Sequence, residues 1–443
     1  MRVEDKKTVA DLQRETILTV DYGYYMEMAR AMGGKDGFLH TLYGTNWHSY
    51  SPTPDRCFMG FGMEGLEHVE EFYDYLDLAT VVAFFDVGDY ALQRRLRSQG
   101  VKVFGAAGSE IIELDRVAFK DVLTDAGLAS PPFEVILGID ALRKHLQENN
   151  DLWVKGDSKW RGLKETWYHE EYETSYSTVD ELAYKLGCFR NAVDMPSHPA
   201  RWVCESPWPG IESGADYFYS GGRVLPIGTY GFEEKNEGYI CKAMPVELMP
   251  KAVRNVQAKM DPFHLRCNTS GGASTEVRVL CEKMYGFDVG EGYFLDATQR
   301  IGSPPAEIIA GLYSNLPHIV RACAYGEMIT PAPIAKYAAQ VILKSGLALE
   351  GNCPVTVDPG FENSVRFRRQ CVVNGIINII PMNDDEIIGA AVGYGRTREE
   401  AQDNALEAAD HVHCKELFYN AAVFENELCD TLEIAKELGL GEF

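Results

Sequence analysis

Apolar residues change their spacing several times along the chain, and each change predicts an element. Short apolar runs bounded by turn residues predict strands at ETILTVDY (15–22), GFLHTLY (37–43), ATVVAFFD (79–86) and VKVFGA (101–106). Between them, Met26, Met28, Ala29 and Met32 recur at helical spacing, and YALQRRLRSQG reads as a second amphipathic helix. Apolar strands joined by helical crossovers predict a parallel, doubly wound sheet. One long helix is predicted from Ser109, its N-cap, to about Gly127, before the break at Pro131-Pro132. FEVILG, a helix over 141–148 and LWVKG then form a strand–helix–strand unit. Residues 165–202 read as strand, helix and loop. Strands dominate from Arg201 to Arg300, with one helix near 246–260. From about Pro333 the alternation returns and ends in helices. Thr397 and Glu400 predict a capping box for a helix running to about Tyr419. The fold class is α/β, with an α+β centre.

The 443 residues are enough for two to four domains. No apolar run approaches a membrane span, and the first residues are charged without an apolar core. Eleven cysteines with no CxxC pair fit reduced, mostly buried thiols, so the expected location is the cytoplasm. A formal charge of −24 argues against general nucleic-acid binding, and the lack of a long apolar run against a membrane partner. The basic run Arg366-Phe367-Arg368-Arg369 reads as a solvated strand face. His411 and His413, two apart on an expected helix, make a poor metal pair.

The segment YFLDATQRIGSPP (293–305) places Asp296, Thr298 and Arg300 at alternate strand positions, hence on one face. Ser303 can cap a following helix, with Pro304 at its first position. A carboxylate and a cation on one face before a helix suit a metal–phosphate site; a solvated polar face is the plain alternative. GGASTEVRVL (271–280) puts Ser274, Glu276 and Arg278 on one face of a neighbouring strand, where a Glu276–Arg300 salt bridge is the alternative to metal binding. Lys155 sits in the apolar strand LWVKGD, either solvated at a sheet edge or held against a phosphate. DSKWRGLKET (157–166) then gathers Lys159, Arg161, Gly162 and Lys164 into one loop suited to closing over a polyphosphate. WVCESPWPGIESGAD (202–216) reads by itself as a Pro-rich surface loop with two exposed acids, Glu205 and Glu212.

These segments resemble, in order, the motifs of ATP-grasp ligases, most closely the phosphoribosylamine–glycine ligase group. Asp296, Thr298, Arg300 and Gly302 fall on a family pattern of the type L-E-x-N-x-R-x-G-D-P. Val154, Lys155, Asp157 and Gly162 fall on V-V-K-A-D-G-x-x-x-G-K-G. Arg116, Lys120 and Asp121 in LDRVAFKDVL (114–123) fall on S-K-x-F-x-K-D-F-L, and Glu205, Gly210 and Glu212 on the hinge V-I-E-E-F-L-x-G-x-E. Residues 386–412 resemble the family's closing strand, turn and helix. The resemblance implies an ATP-grasp fold with an N-terminal Rossmann-like domain (1–108), an ATP-grasp domain (109–332, its lid about 133–203) and a small C-terminal domain (333–443). It implies ATP and magnesium, or manganese in its place, with Glu276, Asp296 and Thr298 as metal ligands. Nucleotide contacts fall to Arg116, Lys155, Lys159, Arg161, Gly162, Glu205, Trp208 and Glu212; Pro207 removes one hinge donor, which favours Trp208 N–H for adenine. Arg300 and Lys164 take the catalytic positions. The implied reaction joins a small-molecule carboxylate, such as glycine, to an amine through an acyl phosphate, in a monomer or homodimer.

The chain departs from the family at its first turn. The family's G-x-G-G-R-E-H phosphate turn is replaced by VDYGYYMEMA (20–29), and N-T-G-G-M-G by KNEGYICKAMP (235–245). Asp21 would repel a phosphate, so a substrate other than phosphoribosylamine is expected. Tyr24, Tyr25, Asp86 and Asp89 suggest aromatic and acidic pocket walls, or else surface features. A catalytically degenerate, nucleotide-binding or structural relative is the alternative reading. A nicotinamide-dependent dehydrogenase is disfavoured, because no G-x-G-x-x-G turn follows the first strand.

Overall fold

The protein is described by a computed structural model covering residues 16–34, 37–45, 58–157, 166–192, 200–382, 385–441 and 443. Five parallel strands open the chain, in the order Glu67–His68, His40–Thr45, Thr16–Asp21, Val81–Phe84, Val103–Phe104. Alternate residues of the central strand serve two cores. Ile17 packs with Met26, Met28 and Val81, while Leu18 and Val20 pack with Phe72, Val82 and Leu96. Burial on both faces is why these strands read as continuous apolar runs.

The helix expected over 109–127 is two helices, Ile111–Leu114 and Arg116–Asp125. Asp115 between them is extended, and its carboxylate accepts from Ala118 N–H, capping the second helix. Ser109 instead donates to the Ala106 carbonyl. The next unit is a four-stranded antiparallel sheet ordered Phe133–Leu137, Arg201–Glu205, Leu152–Gly156, Thr166–His169. Leu142, Leu146, Val179 and Leu182 of two covering helices pack on its Val154, Trp167 and Trp202.

A larger antiparallel sheet runs through the rest of the molecule. Its main path is Gly292–Thr298, Gly271–Leu280, Gly210–Ser220, Ile227–Glu234, Gly238–Pro245, Tyr337–Ser345, Ile387–Gly395, Val365–Phe367. The helix Lys251–Cys267 covers part of one face through Val253, Val256 and Met260. Arg398–Asp410 lies so close to the strand Ile387–Gly395 that a Cβ on Gly393 would stand 2.1 Å from the Ala401 carbonyl oxygen.

Three local expectations need correction. The helix after Thr397 stops at Asp410, because Val412–Cys414 turns into a strand pairing with Cys353–Val357. His411, at the helix C-cap, and His413, on the strand, both meet Asp358, at 2.9 and 3.0 Å. Arg366, Arg368 and Arg369 are buried rather than solvated: Arg368 pairs with Glu307 and Arg369 with Asp385. The helix after Gly302 begins at Ala306 with Pro305 in the capping position, while Ser303 hydrogen-bonds the Glu307 carboxylate at 3.1 Å.

Candidate active site

Strand register builds the site. Glu276 lies opposite Asp296 and Ser274 opposite Thr298, while on the other side Arg278 pairs with Glu212 and Ser274 with Asp216. Period-two alternation turns all seven side chains to one face of the sheet. Gly214, opposite Glu276, adds no side chain there, and the nearest atom to a Cβ built on it is 3.8 Å away. The face floors a cleft of about 560 Å³. Trp153, Lys155 and Thr166 of the four-stranded sheet line it from one direction, the 233–236 hairpin tip from another, and Arg300 and Gly302–Pro304 close one end.

Lys155 is not solvated at an edge. Its strand lies inside the sheet, and its ammonium meets Glu205 at 2.6 Å and the Leu295 carbonyl at 3.2 Å. Glu205 also meets Lys120 at 2.5 Å, and Tyr293 hydroxyl donates to it at 3.2 Å. Burial pushes the Glu205 carboxyl up, but Lys155 and Lys120 outweigh it and hold the group below its ordinary value. Burial in turn brings Lys120 down to about 8. The surface-loop reading therefore fails for Glu205, which is 1 % exposed. Glu212 forms an ion pair with Arg278 at 2.8 Å. Trp208 is buried against Phe287 and Tyr293, with ring centroids 5.2 Å from each, and its indole N–H has no partner among the described residues.

The two facing carboxylates differ. Burial raises Asp296, yet Arg116, which pairs with it directly, and Lys155 bring it below the ordinary carboxylate range. Burial also raises Glu276, and there the neighbouring charges, Asp296, Glu212 and Glu233, push it higher still. Glu233 lines the cleft, and partial desolvation there, with the nearby charge of Glu212, pushes it up to about 7. The alternative Glu276–Arg300 salt bridge does not form. Arg300 donates instead to Glu113 and to the Tyr25 hydroxyl, each at 2.9 Å.

No three acidic, histidine or cysteine side chains converge closely enough to hold a metal unaided among the described residues. Two facing carboxylates and the Thr298 hydroxyl are an incomplete hard-oxygen set. It fits magnesium, which binds through one or two carboxylates and completes its shell with phosphate oxygens and water. The crowding of negative groups on Glu276 is what a divalent cation would relieve. Lys159, Arg161, Gly162 and Lys164 lie outside the described residues.

The first turn is filled from within. Asp21 is fully buried; its carboxylate accepts from Tyr22 N–H at 2.6 Å, Tyr25 N–H at 2.9 Å and Tyr43 hydroxyl at 2.9 Å. Burial lifts it to about 6. Tyr22 hydroxyl donates to Asp89 at 2.8 Å, and Asp86 lies 3.9 Å from the Arg300 guanidinium. Tyr25 is buried and donates to the Ile301 carbonyl, so it is no surface feature. Sequence reasoning passed over Asp216, Glu113, Glu233 and Lys235. Asp216 was legible, since it alternates with Glu212 on one strand. Glu113 was hidden inside what read as an unbroken helix.

A parallel sheet, a four-stranded antiparallel sheet and a larger antiparallel sheet, the last two lining a carboxylate-floored cleft, have the architecture of the ATP-grasp fold. Solved structures bear this out. The phosphoribosylamine–glycine ligase of Thermotoga maritima superposes with a TM-score of 0.65 at 17% identity, covering 92% of this chain and 99% of that one. The biotin carboxylase of Campylobacter jejuni gives 0.63 at 12%, covering 93% and 95%. An L-amino acid ligase of Bacillus licheniformis gives 0.55 at 13%, covering 92% and 99%. No family model and no curated protein matches the sequence. Likeness at such identities establishes a shared architecture.

Proposed function

We propose that the chain is an ATP-dependent carboxylate–amine ligase. The observation that carries this reading is the cross-strand pair Glu276–Asp296, set in a cleft whose roof supplies Lys155 and whose end supplies Arg300. Arg116 and Lys155 are assigned to the phosphates, together with Lys159, Arg161 and Gly162 of the loop. Glu205, Glu212 and Trp208 are assigned to the adenosine end, and Glu276, Asp296 and Thr298 to magnesium. When bound there, magnesium would offset phosphate charge and orient the terminal phosphate. Nucleotide binding requires Arg116 to exchange Asp296 for a phosphate oxygen.

A substrate carboxylate oxygen attacks the γ-phosphorus, and ADP leaves. The amine nitrogen then attacks the acyl carbon of the acyl phosphate; inorganic phosphate departs and the nitrogen loses a proton. Arg300, held by Glu113 and Tyr25, is pre-oriented to stabilise the negative charge that develops at both steps, with Lys164 assisting. The amine is one other than phosphoribosylamine: the Tyr22 and Tyr25 N–H groups at the first turn are already taken by Asp21. The division at 108 and 332 belongs to the same proposal.

A second reading, a nucleotide-binding relative without turnover, draws on one observation: Arg116 already neutralises a proposed metal ligand. Phosphate release from ATP, screened with glycine and other amino acids against varied amines, separates the two. The ligase reading expects turnover that falls on the order of 100-fold in Asp296→Asn. ATP binding with no ADP formed across the panel would establish the second reading.

A further inference from the structure

A second cavity, about 470 Å³, opens at the seam between the parallel sheet and the large antiparallel sheet. Among the described residues three cations line it (Arg97, Lys102 and Arg223), and no acid does. The chain carries 66 acidic residues against 42 basic ones, so such a pocket runs against its overall balance. Among the described residues none of the three cations has a carboxylate partner. Arg97 donates to the carbonyls of Ala107, Gly105 (2.8 Å), Ser270 (3.1 Å) and Val103 (3.3 Å). Lys102 lies 4.9 Å from the Tyr325 ring centre. Arg223 is exposed at a hairpin turn.

Taking a cation out of water with no counter-ion beside it is costly. Burial accordingly lowers Arg97 to about 10, with no anion opposing the effect. Two helices end at this pocket, Lys251–Cys267 and Leu316–Tyr325, and cations near helix C-termini can serve the dipole. Here those ends are already satisfied. Asn268 and Gly326 cap them in the left-handed conformation, and the Gly326 and Glu327 N–H groups donate to the Cys323 and Ala322 carbonyls at 3.1 and 2.8 Å.

We propose that this pocket binds a phosphate-class oxyanion. Arg97 and Lys102 belong to the parallel-sheet unit and Arg223 to the antiparallel sheet, so one anion held by all three ties the two sheets together. The seam is already joined there by the Gly105 N–H, which donates to the Ser270 carbonyl at 2.8 Å. Ser270 leads directly into the strand Gly271–Leu280, which carries Ser274 and Glu276. The site goes beyond the proposed ligase activity and stands whether or not the cleft takes ATP.

The test is calorimetric titration of the full chain with inorganic phosphate and, separately, with glycerol phosphate. Comparisons are the double variant Lys102→Ala/Arg223→Ala, the single exposed variant Arg223→Gln, and Lys235→Ala as a cleft cation. Charge-assisted hydrogen bonds of this kind predict affinity weakened about tenfold or more in the double variant, less in the single one, and unchanged in Lys235→Ala. Binding of the ester alone marks an esterified ligand, and binding of inorganic phosphate alone marks the free ion. Wild type that binds neither compound overturns the proposal. So does affinity that survives both pocket variants, or that is lost in Lys235→Ala.

Discussion

Glu276 and Asp296 face each other across adjacent strands and titrate in opposite directions. Arg116 and Lys155 attend Asp296, whereas Glu276 has three other carboxylates around it. A raised folded-state value means that the folded protein holds a proton the unfolded chain has given up. Stability is then lost as pH climbs above the ordinary glutamate range. Glu276→Gln removes that penalty. In denaturant melts the variant is expected to match wild type near pH 4 and to exceed it increasingly toward pH 8, while ATP turnover falls. A variant less stable than wild type at pH 8 would contradict this account. The two faces of this pair were legible, because strand alternation alone aligns Asp296 with Thr298 and Glu276 with Ser274. The partner of Asp296 was not, because Arg116 stands 180 residues away and only tertiary packing brings it there.

Elements place those residues, and Asp115 is the clearest case. It ends one short helix, caps the next, and pairs with Arg201 at 2.5 Å. The residue it delivers at the start of the capped helix is Arg116, whose own N–H is held by Asp157 at 2.9 Å. Asp115→Ala is expected to cost about 1 kcal/mol of stability and to raise KM for ATP more than it lowers kcat. Asp115→Asn, which keeps a capping oxygen, should recover most of the stability. Equal losses in both variants would assign the effect to the ion pair with Arg201 instead. Helical periodicity missed this break because a single extended residue leaves the apolar spacing on both sides intact. Arg368 and Arg369 were misread for a related reason: their buried partners, Glu307 and Asp385, are contributed by other segments, which local pattern cannot supply.

At the scale of the whole molecule, one sheet carries both the cleft floor and the closing strands. Pairing of Tyr337–Ser345 with Gly238–Pro245 continues the central strands into the last third without a gap. That face collects Glu212, Asp216, Glu233, Glu276 and Asp296 in a chain of net charge −24. A free nucleotide polyphosphate would meet repulsion from both the local acids and the long-range field. A divalent ion reverses the local sign, so nucleotide and metal should bind as a linked pair. Thermal unfolding is therefore expected to rise by a few °C with ATP and magnesium together, far less with ATP in EDTA, and not at all with NAD. Added EDTA should return the sample to the midpoint seen with ATP in EDTA. An equal rise with ATP in EDTA would mean that cations such as Lys155 hold the nucleotide unaided. The acidic floor would then serve something other than a metal.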